Sequence, residues 1–249
     1  MKNKFIAGNW KMNKTSVETD ELLTQLIPLV KDTNNTVAVC VPFTDLCIAK
    51  KMLKDTNIML GAQNIHWEQK GAFTGEISAQ MLAEKNVKCV IIGHSERRQY
   101  FGETDATVNA RLLTALNQGF TPIVCIGESL EQRQNGTTED FLALQIEQGF
   151  KGLTTEQAQK VVVAYEPIWA IGTGVTATTQ QAQDTIAFAR RKFAEIFGQE
   201  TANQVYFLYG GSMNENNAKD LLSMPDIDGG LIGGASLVAE KFAKIVNAI

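Results

Sequence analysis

Val161–Gly174 reads VVVAYEPIWAIGTG. The β-branched run Val161-Val162-Val163-Ala164-Tyr165 has the pattern of a strand buried on both faces, as in a parallel sheet. It ends on a lone carboxylate, Glu166. Pro167 then confines Glu166 to extended backbone and fixes its own φ. Four apolar residues follow, Ile168-Trp169-Ala170-Ile171, closed by Gly172-Thr173-Gly174. A loop tip this apolar has reason to fold over something and expel water. Two readings stand side by side: a general base under an apolar lid, or a solvated strand-end Glu beside an adhesive loop.

Working outward, the same strand-then-helix unit recurs. Strands are expected at Phe5-Ile6-Ala7, Thr36–Val41 (ended by Pro42), Ile58–Ala62, Lys88–Ile92, Thr121–Ile126, Gln204–Leu208 and Gly230-Leu231-Ile232. Between them, residues 15–31 predict a helix capped by Thr15 or Ser16, with Val17, Leu22, Leu26 and Leu29 on its apolar stripe. Further helices are expected at Asp45–Lys54, about Ile77–Lys85, Thr104–Asn117, most of Glu128–Lys151, Thr178–Phe197, Glu215–Leu222 and Leu237–Asn247. About eight units without a linker or composition break predict an α/β protein, a single (β/α)8 barrel over residues 1–249. An open doubly wound sheet fits less well, and no GxGxxG follows the first strand.

Composition narrows the partners. With 44% hydrophobic residues and unenriched Gly (20) and Pro (5), the 249 residues predict a folded globular protein. A net charge of −4 without a basic face argues against nucleic acid or anionic membrane, and no apolar run reaches the ~20 residues of a membrane span. The opening MKNKFIAGNWKMNK has a short apolar core flanked by Lys but no h-region or small-residue cleavage site, so it is not expected to be a signal peptide. Cys40, Cys47, Cys89 and Cys125 have no metal or redox spacing, which predicts free thiols in a reducing cytoplasm. Two histidines, His66 and His94, are too few for a multi-histidine metal site.

The chemistry of such a barrel sits at the carboxyl ends of its strands. There the sequence places Asn9 and Lys11, then Gly93-His94-Ser95-Glu96, then Glu166, Gly210-Gly211-Ser212 and Gly233-Gly234-Ala235-Ser236. Each has a plain reading: a solvated lysine, a structural histidine, two glycine turns. Together they read as chemistry. His94 precedes what looks like a capped helix start, where the helix dipole disfavours imidazolium. Two glycine-rich segments entering helices suit an anion held by backbone N–H groups. One base, one neutral donor, one cation and a phosphate cradle suit proton abstraction beside a carbonyl in a small phosphorylated compound.

In order along the chain, the segments Asn9-Trp10-Lys11-Met12-Asn13, Gly61-Ala62-Gln63-Asn64, Gly71–Glu76, Gly93–Arg98, Tyr165–Gly174, Tyr209-Gly210-Gly211-Ser212 and Gly233–Leu237 resemble the motifs of the triosephosphate isomerase family. The resemblance implies a cytoplasmic enzyme of glycolysis and gluconeogenesis. It would interconvert dihydroxyacetone phosphate and D-glyceraldehyde 3-phosphate without cofactor or metal. Glu166 would be the base, His94 the electrophile and Lys11 the cation, with Asn9 and Lys11 binding substrate. Gly172, Ser212, Gly233 and Gly234 would hold the phosphate, and Glu96 and Ser95 would support the site, Glu96 by orienting Lys11. It also implies that residues 63–76 form an arm making a homodimer, Thr74 reaching the partner's site around Met12 and Lys11, with His66 interfacial. A Schiff-base enzyme using Lys11, or a binding scaffold without turnover, are the alternatives; borohydride trapping and turnover assays separate them.

Overall fold

A computed structural model of the chain describes residues 2–170 and 177–249. Eight parallel strands close on themselves: β1 (Phe5–Asn9), β2 (Thr36–Val41), β3 (Ile58–Ala62), β4 (Cys89–Ile92), β5 (Thr121–Ile126), β6 (Val162–Tyr165), β7 (Tyr206–Tyr209) and β8 (Gly229–Ile232). Closure is direct. Phe5 pairs with Thr36 on one side and Gly229 on the other. The predicted (β/α)8 barrel is therefore the observed fold.

Alternation along the strands sorts the side chains into two cores. Phe5, Ala7, Ala38, Cys40, Cys89, Ile91, Ile123, Cys125, Val162, Ala164, Leu208 and Leu231 form one cluster. Residues of the opposite parity, such as Ile6, Val37, Val39, Val90, Ile92, Val124 and Val163, pack against helix residues including Leu23, Leu26, Leu112, Ile146 and Phe193. Extending the first parity past the strand ends reaches Asn9 and Lys11 from β1, Glu166 from β6, Gly210 from β7 and Gly233 from β8. The pleat that fills the barrel thus also delivers these residues, whereas His94, of the opposite parity on β4, is brought in by the turn at Gly93 (φ 68°). Cys40, Cys89 and Cys125 are buried free thiols, and Cys47 is exposed.

Several boundaries moved. The first helix spans Ser16–Val30 with Thr15 as N-cap in a capping box. Its buried stripe is Leu22, Leu23, Leu26 and Val30, while Val17 and Leu29 are exposed. Period alone fixes the width of a stripe, and the packing partners fix its phase. The expected strand at Gln204 begins at Tyr206 because β6 sets its register (Val162 opposite Tyr206), and a helix, Gln199–Gln204, precedes it. Glu128–Lys151 splits into helices Leu130–Gln134 and Thr138–Gly149, and Glu215–Leu222 shrinks to Ala218–Leu222. The apolar stretch after Pro167 is no free loop tip at its start. Ile168–Ala170 is a 3-10 turn, with Ala170 buried and the Trp169 indole donating to Glu128 Oε1 at 2.8 Å. Ile171 and Gly172-Thr173-Gly174 lie outside the described residues.

Within residues 63–76, the expected arm, residues 64–66 are buried against the barrel and residues 68–75 are exposed. His66 N–H donates to Ile77 O at 2.9 Å, and the imidazole lies against Trp67 and Phe73 at centroid distances of 4.2 and 4.5 Å. Arg111 binds Ile65 O from beneath. His66 is thus buried within its own chain.

Candidate active site

Lys11 follows β1 with a positive φ of 52°, a conformation that non-glycine residues adopt at a cost. Two contacts offset that cost. Lys11 N–H donates to Asn9 Oδ1 at 3.1 Å, and Gln63 Nε2 donates to Lys11 O at 2.9 Å. The ammonium then donates to Glu96 Oε1 at 2.7 Å. This is the Lys11–Glu96 pairing that the family resemblance implies, and a Schiff-base nucleophile would have to break it.

His94 is the N-cap of the Ser95–Phe101 helix, where its Nδ1 accepts the N–H of Glu96 at 3.2 Å. An acceptor nitrogen carries no proton, so the hydrogen sits on Nε2. Nε2 lies 2.8 Å from Glu166 Oε1. Glu166 is 2% exposed, and its other oxygen accepts the N–H of Ser95 at 2.9 Å.

These contacts set the charges. Burial works against an ionised Glu166, but His94, the Ser95 N–H and Lys11 outweigh it and hold the carboxyl below the usual carboxylate range. Burial likewise opposes charge on His94, while Glu166 and then Glu96 favour it and raise the imidazole above its ordinary value. That rise comes from Glu166 first of all. Apart from Glu166, burial, Lys11 and the helix N-terminus favour the neutral ring and Glu96 opposes them.

Asn9, Lys11, His94, Glu166, Ser212, Gly233 and Gly234 line one cavity of about 410 Å³. Ser212 Oγ donates to Ala170 O at 2.8 Å, tying the β7 end to the turn after Pro167. Gly233 O accepts both the N–H and the hydroxyl of Ser236, which leaves the 233–234 backbone facing the cavity. Of the expected site residues, Gly172 lies outside the described residues. Thr74 is exposed and is not brought to this cavity. Met12, 96% exposed, lines a neighbouring cavity of about 210 Å³ with Lys11, Gln63, Asn64 and Glu96. Among the described residues no His, Cys, Asp and Glu side chains group as a metal site, and no helix is long and apolar enough to cross a membrane.

Sequence reasoning missed Glu128. It is fully buried, and its Oε1 accepts from the Tyr165 hydroxyl at 3.0 Å, the Trp169 indole at 2.8 Å and Arg133 at 3.2 Å. The signal was present, because Gly127-Glu128 stands at the carboxyl end of β5, where chemistry is expected. Arg98 was missed too; it donates to Gly93 O at 2.8 Å and Cys125 O at 3.2 Å, pinning the ends of β4 and β5.

A closed parallel barrel that gathers ionisable groups at the carboxyl ends of its strands defines the (β/α)8-barrel enzymes as the class. The sequence model of the triosephosphate isomerase family matches residues 4–249. Triosephosphate isomerase of Clostridium perfringens is 56% identical over 247 residues, 99% of this chain and all of that protein. That of Caldanaerobacter subterraneus is 53% identical over the same shares. The crystal structure of triosephosphate isomerase from Bartonella henselae superposes with a TM-score of 0.89 at 40% identity, covering 99% of this chain and 98% of that one. The chain belongs to the triosephosphate isomerase family.

Proposed function

We propose that this isomerase interconverts dihydroxyacetone phosphate and D-glyceraldehyde 3-phosphate through an enediolate, with residues 1–249 acting as one barrel domain. The observation that carries the mechanism is the contact of Glu166 Oε1 with His94 Nε2 at 2.8 Å beside Lys11. Glu166, held ionised, removes a proton from the carbon next to the carbonyl and returns it to the neighbouring carbon. To do so it leaves the Ser95 N–H and His94. His94 Nε2–H is then free for the substrate oxygen, where a neutral donor stabilises developing negative charge. Triosephosphate isomerases in general use a neutral histidine in this way. Lys11 and Asn9 bind substrate, Glu96 holds Lys11, and Ser95 parks the base between turnovers.

Ser212, Gly233 and Gly234, with Gly172, bind the phosphate; the first three share the cavity of the base. We further propose a homodimer through residues 63–76, with Thr74 reaching the partner beside Met12 and Lys11. The exposed Met12 and Phe101, which line the second cavity, support a covered face there. The enzyme would work in cytoplasmic glycolysis and gluconeogenesis, unaided by a cofactor.

The test is a coupled assay for glyceraldehyde 3-phosphate formed from dihydroxyacetone phosphate, repeated with a two-carbon phosphorylated carboxylic acid. Turnover inhibited competitively by the acid is expected. A chain that binds the acid yet turns nothing over would defeat the proposal.

A further inference from the structure

The hydrogen bonding of a parallel strand runs out at its end. Past Ile126 the β5 chain continues as Gly127-Glu128, while β4 has already ended and turned through Gly93 into the Ser95–Phe101 helix. The Gly127 N–H is taken by a side chain instead: Gln145 Oε1 accepts it at 2.8 Å. Gln145 belongs to the Thr138–Gly149 helix, on the buried face it shares with Leu142 and Ile146, and is 2% exposed. A buried amide on an apolar helix face costs free energy unless it is hydrogen-bonded. The bond to Gly127 supplies that compensation.

Gly127 in turn rests on the backbone of Glu166. A methyl group at Gly127 would stand 1.9 Å from the Glu166 carbonyl oxygen and 3.2 Å from its Cβ, so only glycine permits the approach. The two chains are locked on either side of this contact. Glu166 N–H donates to Ile126 O at 2.8 Å and Ile168 N–H to Glu128 O at 3.2 Å. The peptide that carries Glu166 is therefore pressed against the peptide whose N–H Gln145 holds.

We propose that Gln145 is a positioning residue: through Gly127 it sets where the Glu166 carboxylate arrives when it turns from Ser95 to the substrate. The inference rests on Glu166 being the base. Ser212, Gly233 and Gly234 lie on other loops, so the phosphate grip does not depend on Gln145. Its loss acts on kcat more than on KM, and a displacement of ~1 Å costs up to about 10²-fold.

Gln145→Met keeps the volume and loses the acceptor, whereas Gln145→Glu keeps an acceptor oxygen at the same reach. Leu142→Ala, on the same buried face, serves as the stability control. At 25 °C Gln145→Met should lower kcat about tenfold or more with KM within about twofold. Gln145→Glu should recover kcat to within about threefold of the parent. Leu142→Ala should lower the thermal midpoint and leave kcat within about twofold. If Gln145→Met does not fold, Gln145→Ala is measured with the same expectations. The proposal is overturned if the acceptor-free variant keeps kcat within about twofold, loses it only in step with Leu142→Ala, or is matched in slowness by Gln145→Glu. Glu166→Gln, assayed alongside, separates the two levels. If it stays active, the base assignment fails; if it is inactive while Gln145→Met is unimpaired, only the present inference fails.

Discussion

Glu166 and His94 share one hydrogen bond in the structure and part during turnover in the proposed mechanism, so their substitutions should fail differently. Glu166→Gln should lower kcat by ~10²–10⁴-fold while a phosphorylated carboxylate still binds, because the amide cannot take a proton and the phosphate loops are untouched. Retained turnover in that variant would remove the carboxylate from the mechanism. His94→Gln should lower kcat more than it raises KM, since the Nε2–H bond strengthens as the oxyanion forms. Steady-state kinetics on both variants decide, and an unchanged kcat at position 94 would end the electrophile role. Both residues were legible in sequence, as a carboxylate locked by Pro167 at a strand end and an imidazole before a helix start. Their contact was not. Glu166 meets the Ser95 N–H across 71 residues, and no local pattern carries that pairing.

Among the elements, the Thr179–Phe197 helix follows the segment at Gly172 and starts from a capping box, with Thr178 accepting Gln181 N–H at 3.1 Å and Gln181 Oε1 accepting Thr178 N–H at 2.9 Å. Thr178→Ala should cost about 1 kcal/mol and lower Tm by roughly 2–4 °C, read by thermal unfolding. No change in Tm would mean that the cap contributes nothing to folding. Strand β7 carries Tyr209, whose hydroxyl burial pushes up to about 12. A phenol is neutral when protonated, and its unfolded pKa is near ~10. Its contribution is therefore complete below about pH 10 and is lost as pH rises toward 12, by about 2–3 kcal/mol. Tyr209→Phe should flatten the fall in stability between pH 9 and about 11.5 in urea titrations; an equally steep fall would refute that origin. Helices with strong caps were legible, Thr15, Thr104 and Thr178 among them. The phase of the first helix was not, because Val30 rather than Leu29 faces the interior only once the barrel is present.

At the scale of the whole molecule, the site borders a second cavity lined in part by the exposed Met12 and Phe101, the surface that the proposed dimer would cover. Thr74→Arg should shift the sedimentation coefficient toward the monomer. It should also slow turnover by as much as ~10²-fold if Lys11 moves by ~1 Å without its neighbour. An Arg variant that stays dimeric and fully active would place the interface elsewhere. Closure also explains the interior. Gly229 of β8 pairs with Phe5 of β1, so the first and last strands complete one set of inward residues and one ring of loops.

What the sequence determined by itself was periodic and local: alternating strands, capped helices, the count of units and the polar residues at strand ends. Those features follow from backbone geometry over a few residues, so they can be read without neighbours. Tertiary structure alone decided who meets whom. It brought Ser95 to Glu166, put Glu128 beneath Trp169, set Gln145 on Gly127 and fixed the start of β7 at Tyr206. Each contact joins elements remote in the chain, and their approach is fixed by barrel closure and by the free-energy cost of leaving buried polar groups unpaired.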